Sequence, residues 1–304
     1  MDFAYLSLVG VYSAMAVYTV AFFAFTWDLA RRSASKPVAV MAGGGREAEA
    51  PAAPSTWGPF QRIGLTLLVL GWILHLLATI GRGIAGNRVP WANMFEFGLT
   101  STLLIVAVFL GTLFWKDLGY LGAYITGFVL LALGVVTVNF YVDVTPLPPA
   151  LQSAWLVIHV FVASTATAFF ALGAALSVLQ LVRARYEAQQ MAKARIMNTL
   201  PGSSVMESLA YRLNVVGFVL WSFTLIAGAI WAERAWGRYW GWDVKEVWTF
   251  IIWVLFAGYI HARATRGWRG SRAAWLAIIG FGAVIFNYTV VNIAFTGLHS
   301  YSGL

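Results

Sequence analysis

Eight long apolar runs, separated by short polar stretches, dominate this chain. They fall at about 4–27, 62–81, 97–115, 119–141, 152–182, 213–232, 247–262 and 273–295. Each run is continuous rather than alternating, as expected of a helix in lipid and not of a barrel strand. About 20 apolar residues cross a bilayer as a helix, and a helix satisfies its own backbone polar groups there. The pattern predicts an all-α, polytopic integral membrane helix bundle with about eight transmembrane helices, one domain over residues 1–304. The fifth run is too long for a simple span and predicts a helix that projects past the bilayer, carrying Arg183, Arg185, Lys193 and Arg195. The stretch 33–59, rich in Ala, Gly, Pro and Glu, predicts a flexible loop without chemistry. The first run is long and lacks a basic start, so it reads as a retained span and not a cleaved signal peptide.

Composition agrees with this picture. The chain is 60% hydrophobic and 11% charged, against roughly 25% charged residues in soluble domains. Its net charge of +8 reflects topology rather than nucleic-acid binding, because cytoplasmic loops collect Lys and Arg. Fifteen of the twenty Lys and Arg fall in one set of alternate loops. The other set holds only Arg82, Arg88, Arg234, Arg238 and Lys245. The basic side is therefore predicted to be cytoplasmic, which places loop 33–59 inside and both termini outside, with the stretch 233–248 and the tail 296–304 extracytoplasmic. There are no cysteines, so the chain's own side chains supply neither a disulfide nor a thiolate ligand.

The stretch 233–248 carries the strongest chemical signal. Six tryptophans lie within twenty-three residues, from Trp231 to Trp253, around Trp236-Gly-Arg-Tyr-Trp240-Gly-Trp242-Asp243-Val-Lys-Glu-Val-Trp248. An aromatic belt explains rings at one depth, but not Gly, Arg238 and Asp243 at these offsets. Indole faces beside cations suit a large flat ligand with acidic edges, and haem is one. Arg234, Arg238 and Lys245 are the cations available to its propionates. In the first outer loop, Arg82 and Arg88 precede Pro90-Trp-Ala-Asn93-Met-Phe-Glu96. Glu96 either clamps one of these arginines or shapes the ligand pocket.

Four histidines can be placed by depth. His159 lies about two turns into the fifth run and His299 just past the eighth, so both fall near the outer tryptophans. They are either haem ligands or, respectively, a backbone-bonded histidine and a frayed tail. His261 ends the seventh run at the opposite surface, a full membrane thickness away, and would serve a second site or none. His75 lies roughly 9 Å below the outer boundary and is either a ligand or a histidine bonded within the bundle.

Taken together, these residues resemble the CcsA/ResC type of cytochrome c biogenesis protein (CcsB in some lineages), in the haem-handling superfamily with a tryptophan-rich WWD loop and CcmC and CcmF relatives. The resemblance rests on Arg82…Pro90-Trp-Ala-Asn93-Met-Phe-Glu96, Ser153-Ala-Trp155-Leu-Val-Ile-His159-Val, Trp236-Gly-Arg-Tyr-Trp240-Gly-Trp242-Asp243, His261 and Gly297-Leu-His299-Ser-Tyr301. It implies a haem-binding subunit of a cytochrome c synthase in the cell inner (plasma) membrane, with its active side extracytoplasmic. There haem b is presented for thioether attachment to the Cys-x-x-Cys-His motif of an apocytochrome c. The implied partners are a ResB/CcsB-like membrane protein, the apocytochrome, a thioredoxin-like thiol reductant acting indirectly, and membrane lipid. His159 and His299 would ligate the outer iron, and His261 the iron of a second haem. Trp236, Trp240, Trp242, Asp243, Arg238, Arg82 and Glu96 would complete the cofactor site. No catalytic acid or base is assigned and His75 is not placed. Three other readings stay open: a haem transporter or chaperone without synthase activity, a di-haem electron-transfer subunit, and a polytopic transferase or structural subunit with an ordinary aromatic belt and no haem.

Overall fold

The computed structural model describes residues 2–34, 57–147, 151–189, 197, 199–265 and 267–299. Among these there are helices and no strand. The helices are α1 (Phe3–Ala34), α2 (Pro59–Gly86), α3 (Met94–Leu113), α4 (Gly122–Asn139), α5 (Ala154–Gln189), α6 (Ser203–Trp236), α7 (Val244–Thr265), α8 (Ser271–Tyr288) and α9 (Val290–Ala294). With α8 and α9 counted together, eight helices are long and apolar enough to cross a membrane. The all-α, eight-span architecture predicted from hydropathy is the one observed. Most of the stretch 33–59, together with Lys193, Arg195 and the tail beyond His299, lies outside the described residues.

Helix ends are set by local chemistry. Asn93 caps α3, its side chain accepting the Glu96 backbone N–H at 2.9 Å. Gly237, at φ 71°, closes α6 in the left-handed conformation that glycine adopts without penalty. Two helices overrun their apolar runs. α5 continues to Gln189, and α6 begins at Ser203, ten residues before its hydrophobic run. The early turns of α6 have their own anchors: Glu207 accepts the Gly270 N–H at 3.0 Å and pairs with Arg263 at 3.5 Å. The eighth run breaks at Thr289 (φ −92°, ψ −75°), so that α9 is a separate turn.

Two cores hold the bundle. In the first, α1 packs along α2, with α1 also against α4 and α2 against α3, around Tyr18, Phe25, Leu68, Leu99, Phe109 and Val129. In the second, α5 to α8 meet around Phe170, which stacks on Phe256 with ring centroids 3.6 Å apart. A third, smaller cluster of Leu151, Leu156, Val160 and Trp231 sits where the tryptophan stretch meets α5. At this tryptophan end, the loops between α2 and α3 and between α4 and α5 are tied by Arg88 donating to the Thr145 carbonyl. α3 is tied to α8 by the Tyr288 hydroxyl donating to the Met94 carbonyl at 2.6 Å.

Candidate functional site

A cavity of about 250 Å³ opens among α3, α4, α5, α6, α7 and α8 at the tryptophan end. Its wall is mostly apolar, from Met94 and Phe97 to Val284 and Ile285, and includes His159, Trp231, Tyr239, Trp240 and His299. Neither α1 nor α2 contributes to it among the described residues.

His159 and His299 meet on one indole. The His159 imidazole stacks on Trp231, with ring centroids 5.9 Å apart and planes 13° apart. His299 packs edge-on against the same ring at 5.5 Å and against Trp236 at 4.7 Å. Each is oriented through Nδ1. In His159 that atom faces the Thr224 carbonyl at 3.0 Å, and in His299 it faces Asp243 Oδ2 at 2.6 Å. A carbonyl and a carboxylate only accept, so both Nδ1 atoms must carry the proton, leaving Nε2 with the lone pair when the rings are neutral. This is how ligating imidazoles are commonly held, with the far nitrogen donating to a carboxylate or backbone carbonyl. The hydrogen bond from His299 holds the Asp243 carboxyl below the usual carboxylate range, aided by the backbone N–H groups of Leu298 and Lys245.

The remaining predicted site residues fall into separate places. Trp236 backs His299 without lining the cavity. Trp240 lines it, whereas Trp242, edge-on to Trp240 at 5.8 Å, is 75% exposed and held at φ 59°. A positive φ on so bulky a residue is uncommon and strained. Arg238 is exposed and turns back to the Gly241 carbonyl at 3.4 Å. Arg82 and Glu96 are buried beside the cavity and form a clamp with Arg88. Glu96 pairs with Arg82 at 2.9 Å and Arg88 at 2.5 Å and also accepts the Ala92 N–H, while the Arg82 guanidinium packs against both the Phe95 and Tyr141 rings. His261 is exposed at the far end of α7, about 26 Å along the helix from Val244 by helical rise. His75 is buried, its Nε2 3.0 Å from the Leu99 carbonyl and its Nδ1 3.4 Å from the Tyr18 hydroxyl.

Several cavity residues escape the sequence reading. Trp231 reads as one tryptophan among six, yet it touches both histidines. Thr224 acts through its carbonyl, which leaves no sequence signal. Lys245 is legible as one of three cations, but not as the one of the three that lines the cavity, where it donates to Asn292 Oδ1. Glu246 is buried in the wall and does carry a signal. Asp243-Val-Lys-Glu246 has the spacing of a capping box, in which an acid at the third helical position reaches back to the backbone N–H of the capping residue.

Comparison with known proteins identifies the family to which this region belongs. A family model described as cytochrome C assembly protein matches residues 91–299, a range that contains every cavity-lining residue. The chain is 36% identical over 260 residues to the cytochrome c biogenesis protein CcsA of Guillardia theta, covering 79% of this chain and 85% of that one. It is 40% identical over 176 residues to CcsA of Synechococcus sp. (strain CC9902), covering 51% of this chain and 58% of that protein. The solved structure of a cytochrome c heme lyase, CcmF, superposes with a TM-score of 0.67 at 17% identity, covering 95% of this chain. The chain spans about half the length of that protein (47%), and the likeness concerns the fold alone. A family match across more than two-thirds of the sequence, joined to an eight-helix membrane bundle, places this chain in the cytochrome c assembly protein family, as a multi-pass membrane protein.

Proposed function

We propose that the chain is the haem-binding subunit of a cytochrome c synthase, presenting haem b on the extracytoplasmic side of the cell inner membrane for attachment to an apocytochrome c. The observation that carries this reading is the pair His159 and His299. They arrive from distant parts of the sequence, rest on one indole, and each has Nδ1 tied to an acceptor beside a common cavity. Imidazole nitrogen is the usual donor to haem iron, and the apolar and aromatic wall suits the macrocycle, so the residues present fit the group. When bound, haem would supply the vinyl groups to which the client's Cys-x-x-Cys-His thiols add.

The chain's own part is placement. The Thr224 carbonyl and the Asp243 carboxylate set the tautomer and tilt of the two imidazoles. Trp231, Trp240 and Tyr239 line the cavity and offer ring faces to a flat ligand. Lys245 offers a cation to an acidic edge. Holding reactants in register removes several kcal/mol of barrier without a general acid or base. A ResB-like membrane partner and a thioredoxin-like reductant acting on the client belong to the same proposal. So does a separate haem at His261 completed by that partner.

The test is spectroscopic. The protein, purified with its membrane partner, is expected to show ferric and ferrous bands of bis-imidazole haem. His159→Gly and His299→Gly are each expected to lose them and to regain them on adding free imidazole. Unchanged bands in both variants would remove the assignment.

A further inference from the structure

α7 opens on a carboxylate whose two oxygens have different surroundings. Glu246 is 8% exposed. Its Oε2 accepts the backbone N–H groups of Gly241 at 2.8 Å and Asp243 at 3.1 Å, fixing the end of the tryptophan loop. Its Oε1 has no hydrogen-bond partner among the described residues, and the residue lines the cavity. Asp243, held through its backbone by Glu246, holds His299 through its side chain at 2.6 Å.

His299 depends heavily on that grip. It lies beyond α9 in a turn and has no helix of its own. The turn packs tightly on the same carboxylate, since a Cβ added at Gly297 would collide with Asp243. The backbone N–H of Leu298 also donates to Asp243. Three consecutive residues, 297–299, are thus registered against one side chain, whose own backbone is registered by Glu246.

We propose that Glu246 is the positioning residue for His299. Its Oε2 fixes the Asp243 backbone and so the carboxylate that aims the imidazole at the cavity. Its Oε1 offers the cavity an acceptor on the same rigid group. The inference rests on the proposed ligation of haem iron by His299. The simpler account, a capping box at the start of α7, predicts only a modest loss of stability on removal and leaves the ligation at His299 untouched. The two accounts therefore separate by spectrum.

The experiment uses the full chain with its membrane partner and the haem that copurifies. It compares Glu246→Ala, Glu246→Gln, His299→Gly and the double variant E246A/H299G. Outer-shell partners of ligating histidines typically alter metal affinity by about 10–100-fold. E246A is accordingly expected to lose the bis-imidazole bands, to retain haem about tenfold less well, and to recover both with free imidazole. E246Q keeps a carbonyl oxygen able to accept both N–H groups and is expected to stay within about twofold of the parent protein. The double variant is expected to be no worse than H299G, because coupled residues are not additive. Parent-like bands in E246A, alongside altered bands in H299G, would overturn this proposal and leave the ligation standing. Loss in E246A that imidazole does not restore, or a double variant clearly worse than H299G, would mark a general folding role and overturn it too. Parent-like bands in H299G itself would sink the ligation and this inference together.

Discussion

On the proposed function, ligand orientation turns on Lys245. The sequence groups it with Arg234 and Arg238 as cations of one stretch, but folding sends the three apart. Arg234 lies over the Trp155 ring at 5.9 Å and Arg238 over the loop backbone, whereas Lys245 lines the cavity and donates to Asn292. One of its three N–H donors meets a neutral amide, so the ammonium remains able to bind a carboxylate. A charge-assisted bond of this kind is roughly twice as strong as a neutral one. On the proposed function, Lys245 holds a propionate. The parent protein should then bind haem about tenfold more tightly than haem dimethyl ester, a difference of about 1.4 kcal/mol. Lys245→Met should bind the two almost equally, read by titrating the haem-depleted protein in detergent. If the variant still prefers free haem as strongly as the parent, Lys245 is not the anchor.

At the scale of elements, the site is a product of where helices start and how closely they pass. Two helices at the tryptophan end begin with an Asx-x-x-Glu signature, Asn93 to Glu96 and Asp243 to Glu246. In the first, Glu96 accepts from Ala92 and holds Arg82 and Arg88; removing one partner of such a buried pair typically costs about 3–5 kcal/mol. In the second, Glu246 holds the loop. The apolar runs made the eight spans legible because membrane helices need only length and hydrophobicity. Caps and clamps were partly legible, since Glu96 stood out as an acid beside two arginines. The roles of Trp231 and the Thr224 carbonyl were not, because α5 and α6 must first be laid side by side. That closeness yields a prediction. A Cβ at Gly228 on α6 would lie 2.8 Å from His159 Cε1 and 2.9 Å from Nδ1, nearer than real Cβ contacts come. Gly228→Ala should push the imidazole off the Thr224 carbonyl and weaken the bis-imidazole bands as in H159G, with rescue by free imidazole. Gly258→Ala on α7, where a Cβ meets nothing within 4 Å, serves as the silent control. Equal spectra for the two alanine variants would show that the α5–α6 contact does not govern His159.

On the scale of the whole molecule, the division of labour follows the family boundary. Residues 91–299 contain the entire cavity, while α1 and α2 lie outside the match, α1 packing on α4 and α2 on α3. His75 on α2 meets the Leu99 carbonyl of α3, and Trp72 donates to the Leu103 carbonyl at 3.2 Å. A histidine bonded in this way serves the bundle, which weakens a di-haem electron carrier with a second ligand pair inside this chain. The remaining large-scale property is sidedness, which for haem presentation must place the tryptophan end outside. The excess of Lys and Arg in the opposite loops, fifteen of twenty, favours that orientation because basic loops are retained in the cytoplasm. The absence of cysteine allows a clean measurement, since every introduced thiol is unique. Gln152→Cys, exposed at the tryptophan end, and Thr265→Cys, exposed at the far end of α7, should behave oppositely toward a membrane-impermeant maleimide. The thiol at 152 should label in intact cells, and the thiol at 265 only after the membrane is opened. The reverse pattern would put the cavity on the cytoplasmic side, where it could not meet an extracytoplasmic apocytochrome, and the proposed function would fall with it.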